Sequence, residues 1–169
     1  VYDEGKRFGE AMTLAFVRKY NLDARVIRIF NTYGPIMQVD DGRVVSSFIN
    51  QAIRNKPITV YGAGTQTRSL CYIDDMVLGI VLAMFSANTN GEVFNLGNPD
   101  ERTILDLAKL IKNMTKSFSK IIFEDLPKDD PKKREPDISK AKRILGWTPK
   151  IATEEGLQKT IDYFRKGKA

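Results

Sequence analysis

The chain has 169 residues, 42% of them hydrophobic and 28% charged, with a formal net charge of +6. That is enough for one compact domain with its own core, too apolar for a disordered segment, and without the run of roughly 18 apolar residues that a membrane span needs. A single cysteine, Cys71, and no histidine exclude an internal disulfide and Ser-His-Asp or Cys-His catalysis within the chain, and argue against zinc.

Any general base must therefore be Tyr, Lys, Asp or Glu. The positive charge suits a lysine-rich surface or an anionic small ligand such as a nucleotide diphosphate. The basic residues are spread along the chain with no nucleic-acid motif beside them, so no nucleic-acid partner is expected.

Residues 3–20 place Phe8, Ala11, Met12, Ala15 and Phe16 on one stripe, which predicts a helix stopping at Asn21. This charged, amphipathic start does not read as a signal peptide. Arg25–Phe30 is a β-branched run and predicts a strand, followed by a loop over 31–42 with turn signals at Gly34-Pro35 and Asp41-Gly42. A helix is expected over Val44–Arg54, a strand over Ile58–Tyr61, a turn at Gly62-Ala63-Gly64 and a strand over Arg68–Ile73. Asp74 is the expected N-cap of an apolar helix to about Ser86. Asp74-Asp75 is better explained by capping than by a metal.

Glu92–Leu96 predicts a strand and Gly97-Asn98-Pro99 a turn. Thr103 should cap a helix with Ile104, Leu107, Ala108 and Ile111 on its inner face. Lys120–Glu124 follows as a strand and 127–136 as a charged loop. Asp137 should cap a helix closed by Gly146, and Thr153 with Glu154 and Glu155 should open the last helix, to about Lys166. Trp147, Met12, Met76, Met84 and Met114 read as core. Alternating helices and strands imply an α/β fold. No glycine-rich phosphate loop opening a helix is present, so a cofactor-binding half is expected upstream.

Tyr2 and Lys6 stand four apart at a helix start and share a face. A free tyrosine, with a pKa of about 10, is a poor base at neutral pH, but a nearby ammonium favours the phenolate. Alone, this spacing equally describes a surface Tyr–Lys pair. The residues that follow add context. Arg28-Ile29-Phe30-Asn31-Thr32-Tyr33-Gly34-Pro35 is a strand emptying into a polar loop, the place where open α/β sheets bind ligands. Asp41-Gly42-Arg43-Val44-Val45-Ser46, Thr59-Val60-Tyr61-Gly62, Gln66-Thr67-Arg68-Ser69, Asn95-Leu96-Gly97-Asn98 and Lys133-Arg134-Glu135-Pro136-Asp137 come in order after it.

In this order and spacing the set resembles the extended short-chain dehydrogenases, or NAD-dependent epimerase/dehydratases, that act on nucleotide sugars. The resemblance covers essentially the whole chain, beginning at the family's Tyr-x-x-x-Lys. Tyr2–Arg7, Asp41–Ser46 and Asn95–Pro99 look most like the UDP-glucuronate decarboxylases. UDP-glucuronate 4-epimerases and dTDP-glucose 4,6-dehydratases share most of these motifs, and a non-catalytic nucleotide-sugar binding module is the alternative of another class.

The resemblance implies the C-terminal part of a Rossmann-type doubly wound sheet plus a smaller substrate-binding α/β subdomain. Residues 1–30 and parts of 66–100 would complete the Rossmann domain, with 31–65 and 101–169 mostly on the substrate. It implies oxidation of UDP-glucuronate at C4, decarboxylation, and re-reduction to UDP-xylose, with NAD as cofactor. Tyr2 would be the base. Lys6 would hold the nicotinamide ribose and lower the Tyr2 pKa, and Thr32 would join them at the cofactor. Asn31, Arg43, Tyr61 and Arg68 would bind the substrate. Arg134 would face the sugar or phosphate and aid reprotonation.

Without the resemblance, Asn31 suits a turn, Arg43 and Arg68 surface ion pairs, Tyr61 core filling and Arg134 a solvated basic loop. One position departs: Ile36 stands where the decarboxylases carry arginine, which leaves the exact substrate open at this stage. The intact protein is expected to be a cytoplasmic homodimer, with no membrane segment in this stretch. A lone half should expose the helix face and sheet edge that its partner half covers.

Overall fold

The computed structural model, which describes residues 1–39, 41–126 and 135–167, alternates helices with short, mostly parallel strands. Helix α1 (Tyr2–Tyr20) ends where Asn21 takes a left-handed φ of 52°, a conformation asparagine tolerates better than most residues. Strand β1 (Val26–Ile29) then lies parallel to β6 (Val93–Leu96), in register from Val26↔Val93 to Ile29↔Leu96. Two residues on, the same strand continues as β2 (Thr32–Tyr33) but pairs instead with β5 (Cys71–Tyr72). The change is abrupt. Phe30 N still donates to Leu96 O at 2.9 Å, while Asn31 O already accepts from Cys71 N at 2.9 Å.

Two further ladders complete the strands. β3 (Ile58–Tyr61) runs parallel to β8 (Ile121–Glu124), and β4 (Thr67–Ser69) runs antiparallel to β7 (Glu101–Thr103). The remaining helices are α2 (Val44–Ile53), α3 (Ile73–Phe85), α4 (Ile104–Thr115), α5 (Ser139–Leu145) and α6 (Thr153–Lys166). Among the described residues no helix is long and apolar enough to cross a membrane.

The core falls into two clusters. One gathers Phe48 and Ile49 of α2, Ile58 and Val60 of β3, Leu107 and Ile111 of α4, and Leu157 and Ile161 of α6. The other holds Met76 of α3, Phe94 and Leu96 of β6, Ala141 and Leu145 of α5, and Trp147. The segment around β5 divides them: Leu70 and Tyr72 belong to the first cluster and Cys71 to the second. Successive residues of a strand point to opposite faces, so one short strand serves both cores.

Several elements differ from expectation. β2 lies in the stretch expected to be loop, and β7 was not anticipated. The single strand expected over Arg68–Ile73 is split at Leu70 because β4 and β5 have different partners. Strands of two or three residues carry no detectable period. Asp74 is not an N-cap: α3 begins at Ile73, with Tyr72 in the capping position, and places Asp74 and Asp75 in its first turn, where the helix dipole favours acids. Thr103 does cap α4, accepting from Asp106 N at 3.0 Å. Asp137 accepts from Ser139 N at 2.9 Å, although Ile138 holds the capping position of α5. Met76 is buried, whereas Met12 and Met84 are exposed on α1 and α3, with Phe8, Phe16, Val81 and Phe85 beside them. Those apolar side chains are left exposed among the described residues. The charged loop expected at 127–136 lies outside the described residues except for Glu135 and Pro136.

Asp75, 5% exposed, has a different task from capping. Its carboxylate accepts from Lys150 N at 3.0 Å and Ile151 N at 2.8 Å, and its carbonyl accepts from Trp147 Nε1 at 2.9 Å. It thereby fastens the segment between α5 and α6 onto the start of α3. Asp75→Ala would leave two part-buried backbone donors without their acceptor, at a cost of about 1–3 kcal/mol, read as a lower urea midpoint with unchanged slope. Gly79 lies where Trp147 crosses α3: a Cβ there would fall 2.9 Å from Leu96 Cδ1 and from Trp147 Cε2. Overpacking of about 1–3 kcal/mol exceeds the roughly 1 kcal/mol of helix propensity that alanine adds. Gly79→Ala is therefore expected to lower Tm, measured by calorimetry.

Candidate active site

Where the strand changes partner from β6 to β5, a cleft of about 1050 Å³ opens beside Asn31. Tyr2, Asn31, Thr32, Arg43, Tyr61 and Arg68 all line it. They arrive from separate elements. Tyr2 comes from the first turn of α1, Asn31 and Thr32 from the β1–β2 junction, Arg43 from the residue before α2, Tyr61 from the end of β3, and Arg68 from β4. Lys6 is not in the lining. Its ammonium sits over the Tyr2 ring, 5.4 Å from the centroid, as four-residue spacing on a helix requires. Arg134 lies outside the described residues.

Three tyrosines border the cleft, and their settings differ. Tyr2 is 74% exposed. Tyr33 is buried and its hydroxyl donates to Thr153 O at 3.1 Å. Burial, and then the neighbouring Cys71 and Tyr72, push the Tyr33 phenol well above its ordinary range, so it stays protonated. Tyr61 is half exposed, and its carbonyl accepts from Gln66 Nε2 at 2.9 Å. The lone thiol is no nucleophile. Burial, helped by Asp75, pushes Cys71 up to about 12. Of these groups, Tyr2 is the phenol open to a ligand and paired with a cation.

Arg43 is held by its own loop. Asp41 Oδ1 accepts from Arg43 N at 3.0 Å and from Ser46 Oγ at 2.6 Å, and Asp41 Oδ2 lies 3.5 Å from Arg43 Nε. This ties the loop to the first turn of α2 and leaves the guanidinium at the cleft. Arg68 donates through Nη1 to Thr67 O at 2.8 Å. Two guanidiniums at one cleft suit an anion with several oxygens, above all a diphosphate. Thr32 Oγ1 donates to Phe30 O at 2.8 Å, which fixes its rotamer at the junction. Among the described residues no group of three or more His, Cys, Asp or Glu is placed to hold a metal.

Sequence reasoning missed Gln51, Thr59, Gln66 and Glu124, which also line the cleft. Thr59 shares a strand face with Tyr61, and that alternation was visible. Gln51 reaches it from α2, its Oε1 accepting from Thr59 N at 3.1 Å. Glu124 is brought opposite Tyr61 by the β3–β8 register, for which a single sequence carries no signal. Ile36, the position that departs from the decarboxylase pattern, is 81% exposed and does not line the cleft. Its φ of 69° is rare for a β-branched residue.

Comparison with known proteins agrees with this geometry. Residues 1–97 match the family described as the NAD dependent epimerase/dehydratase family. The chain is 51% identical over 165 residues to UDP-glucuronic acid decarboxylase 1 of Xenopus tropicalis, covering 98% of this chain and 39% of that protein. It is 49% identical over 165 residues to UDP-glucuronic acid decarboxylase 4 of Arabidopsis thaliana, covering 98% and 37% respectively. A UDP-glucose 4-epimerase of Thermotoga maritima, solved with UDP-glucose, superposes with a TM-score of 0.90 at 35% identity, over 95% of this chain and 52% of that one. A UDP-glucuronic acid 4-epimerase of Bacillus cereus, solved with UDP-glucuronic acid and NAD, gives 0.87 at 31% identity, over 94% and 50%. The chain thus spans about two fifths of these curated relatives and half of these solved structures. With a mixed α/β architecture of the Rossmann type and a family match over its first 97 residues, the chain belongs to the NAD dependent epimerase/dehydratase family.

Proposed function

We propose that the polypeptide carrying this chain is an NAD-dependent decarboxylase that converts UDP-glucuronate to UDP-xylose. The observation that supports the reading is the convergence of Tyr2, Asn31, Thr32, Arg43, Tyr61 and Arg68 on one cleft, in a chain about half identical to UDP-glucuronic acid decarboxylases.

In this reading the Tyr2 phenolate oxygen takes the proton from the sugar C4 hydroxyl and, as the phenol, later returns it. The Lys6 ammonium holds the cofactor ribose, with Thr32 beside it. An exposed phenol stacked under a cation at the mouth of the cleft fits the nicotinamide end of such a cofactor. Bound NAD supplies the acceptor, and then the donor, of a hydride. Arg43 and Arg68 bind the diphosphate, Asn31 orients the substrate near it, and Tyr61 borders the uridine. Arg134 is assigned to the sugar or phosphate and to reprotonation after carbon dioxide leaves.

The same proposal gives 1–30 and parts of 66–100 to the dinucleotide-binding domain and 31–65 and 101–169 mostly to the substrate. Helix α5 is an exception, since it packs with β6 in the second cluster. A homodimeric, cytoplasmic enzyme completes the reading. A second reading, UDP-glucuronate 4-epimerase, is favoured by the Bacillus cereus superposition.

The full-length protein with NAD and UDP-glucuronate is expected to release carbon dioxide and UDP-xylose; formation of UDP-galacturonate alone would replace this reading with the epimerase. Tyr2→Phe should lower kcat by about 10²–10⁴-fold. Arg43→Ala and Arg68→Ala should each raise KM by about tenfold, the equivalent of about 1.4 kcal/mol of binding, with a smaller effect on kcat.

A further inference from the structure

We propose that the Glu10–Arg28 pair is the positioning element that sets Tyr2 and Lys6 against the Asn31 end of the cleft, an inference that rests on the function proposed above. Tyr2, Lys6 and Glu10 stand at four-residue steps along α1 and so form one ridge. One end of the ridge reaches the cleft through Tyr2. Towards the other, Glu10 receives two hydrogen bonds from a single guanidinium: Arg28 Nε to Oε1 at 2.7 Å and Arg28 Nη2 to Oε2 at 2.6 Å. This is the two-point geometry in which a planar guanidinium fixes the orientation of a carboxylate as well as its distance.

Arg28 belongs to β1, three residues before Asn31, on the strand whose change of partner opens the cleft. The pair therefore connects the helix that carries the phenol to the strand that carries Asn31 and Thr32. Little else of a directional kind does so. No residue of α1 is buried. Among the described residues, these two bonds are the only side-chain hydrogen bonds or ion pairs between α1 and the rest of the chain. The hydrogen bond from Arg28 holds the Glu10 carboxyl below its usual range, against the opposing effect of desolvation, so the pair is ionised at neutral pH.

Arg28 is half exposed, and exposed ion pairs add little to stability. Geometry is another matter, because a misplacement of about 1 Å at a reacting group can cost about 10²-fold in rate. The pair is thus expected to matter for turnover far more than for folding.

The test uses the full-length enzyme with NAD and UDP-glucuronate. Glu10→Gln should lower kcat by about 10–100-fold with KM changed less than about twofold, and leave Tm nearly unchanged. Arg28→Lys, which keeps the charge and loses the fork, should also lower kcat and serves if Glu10→Gln folds poorly. The exchange Glu10→Arg with Arg28→Glu should recover at least about tenfold of the loss, which a general structural defect would not allow. Unchanged kcat in both single variants, alongside an inactive Tyr2→Phe, would overturn the positioning role and spare the proposed function. Loss of activity only in proportion to loss of folded protein would overturn it too. A fully active Tyr2→Phe would remove the function proposed above, and this inference with it.

Discussion

The site depends on one strand having two partners. Up to Phe30 the chain is hydrogen-bonded to β6; from Asn31 it is bonded to β5. A continuous ladder would leave no gap, since neighbouring parallel strands lie less than about 5 Å apart. Here the backbone passes from one partner to the other without a break in its hydrogen bonds, and a cleft opens beside the change. The carboxyl end of parallel strands is where α/β sheets generally accommodate ligands. The side chains at the break, Asn31 and Thr32, face the cleft without any special loop to present them.

The two cores make that break durable. Leu70 and Tyr72 are packed into one, Cys71 into the other, so the strand that captures β2 is gripped from both faces. The polar residues assigned to the ligand contribute little to either core, although Phe48, Leu70 and Ile104 of the first core also line the cleft. Tyr2, Arg43 and Tyr61 are exposed, and Arg68 is only partly covered. The chemistry-bearing groups therefore sit on a frame whose stability comes from other residues, and their environment stays open to a large polar ligand. Tyr33 marks the boundary. It borders the cleft, but its ring is committed to the first core and its hydroxyl to Thr153.

Much of this was legible in the sequence, for identifiable reasons. Long elements with a clear period, such as the helices at 2–20 and 104–115, appear where the pattern places them, and Asn21 and Thr103 mark ends through their own backbone and capping chemistry. Asn31, Thr32, Arg43, Tyr61 and Arg68 were singled out through the order of their motifs, while Gln51, Thr59, Gln66 and Glu124, which line the same cleft, were not. What stayed hidden was pairing. β2, β7 and the split at Leu70 follow from which strand lies next to which, and Glu124 reaches the cleft only through the β3–β8 register. Asp75 was misjudged because a carboxylate near a helix start usually serves its own helix; here its acceptors are used by Lys150 and Ile151. Met12 and Met84 were misjudged because an apolar stripe specifies a face to be covered without specifying what covers it.

That use of Asp75 bears on the order of events during synthesis. The groups that it receives lie 72 to 76 positions further along the chain. The entry to α3 therefore remains unfinished until nearly all of this stretch has left the ribosome. Until then a carboxylate, an indole and two amides wait in water, and the first core still lacks Leu157 and Ile161 of α6. High sequence separation of this kind slows folding. A nascent chain of this protein would thus pass through a period in which its central layer is exposed, the interval in which a chaperone has most to protect.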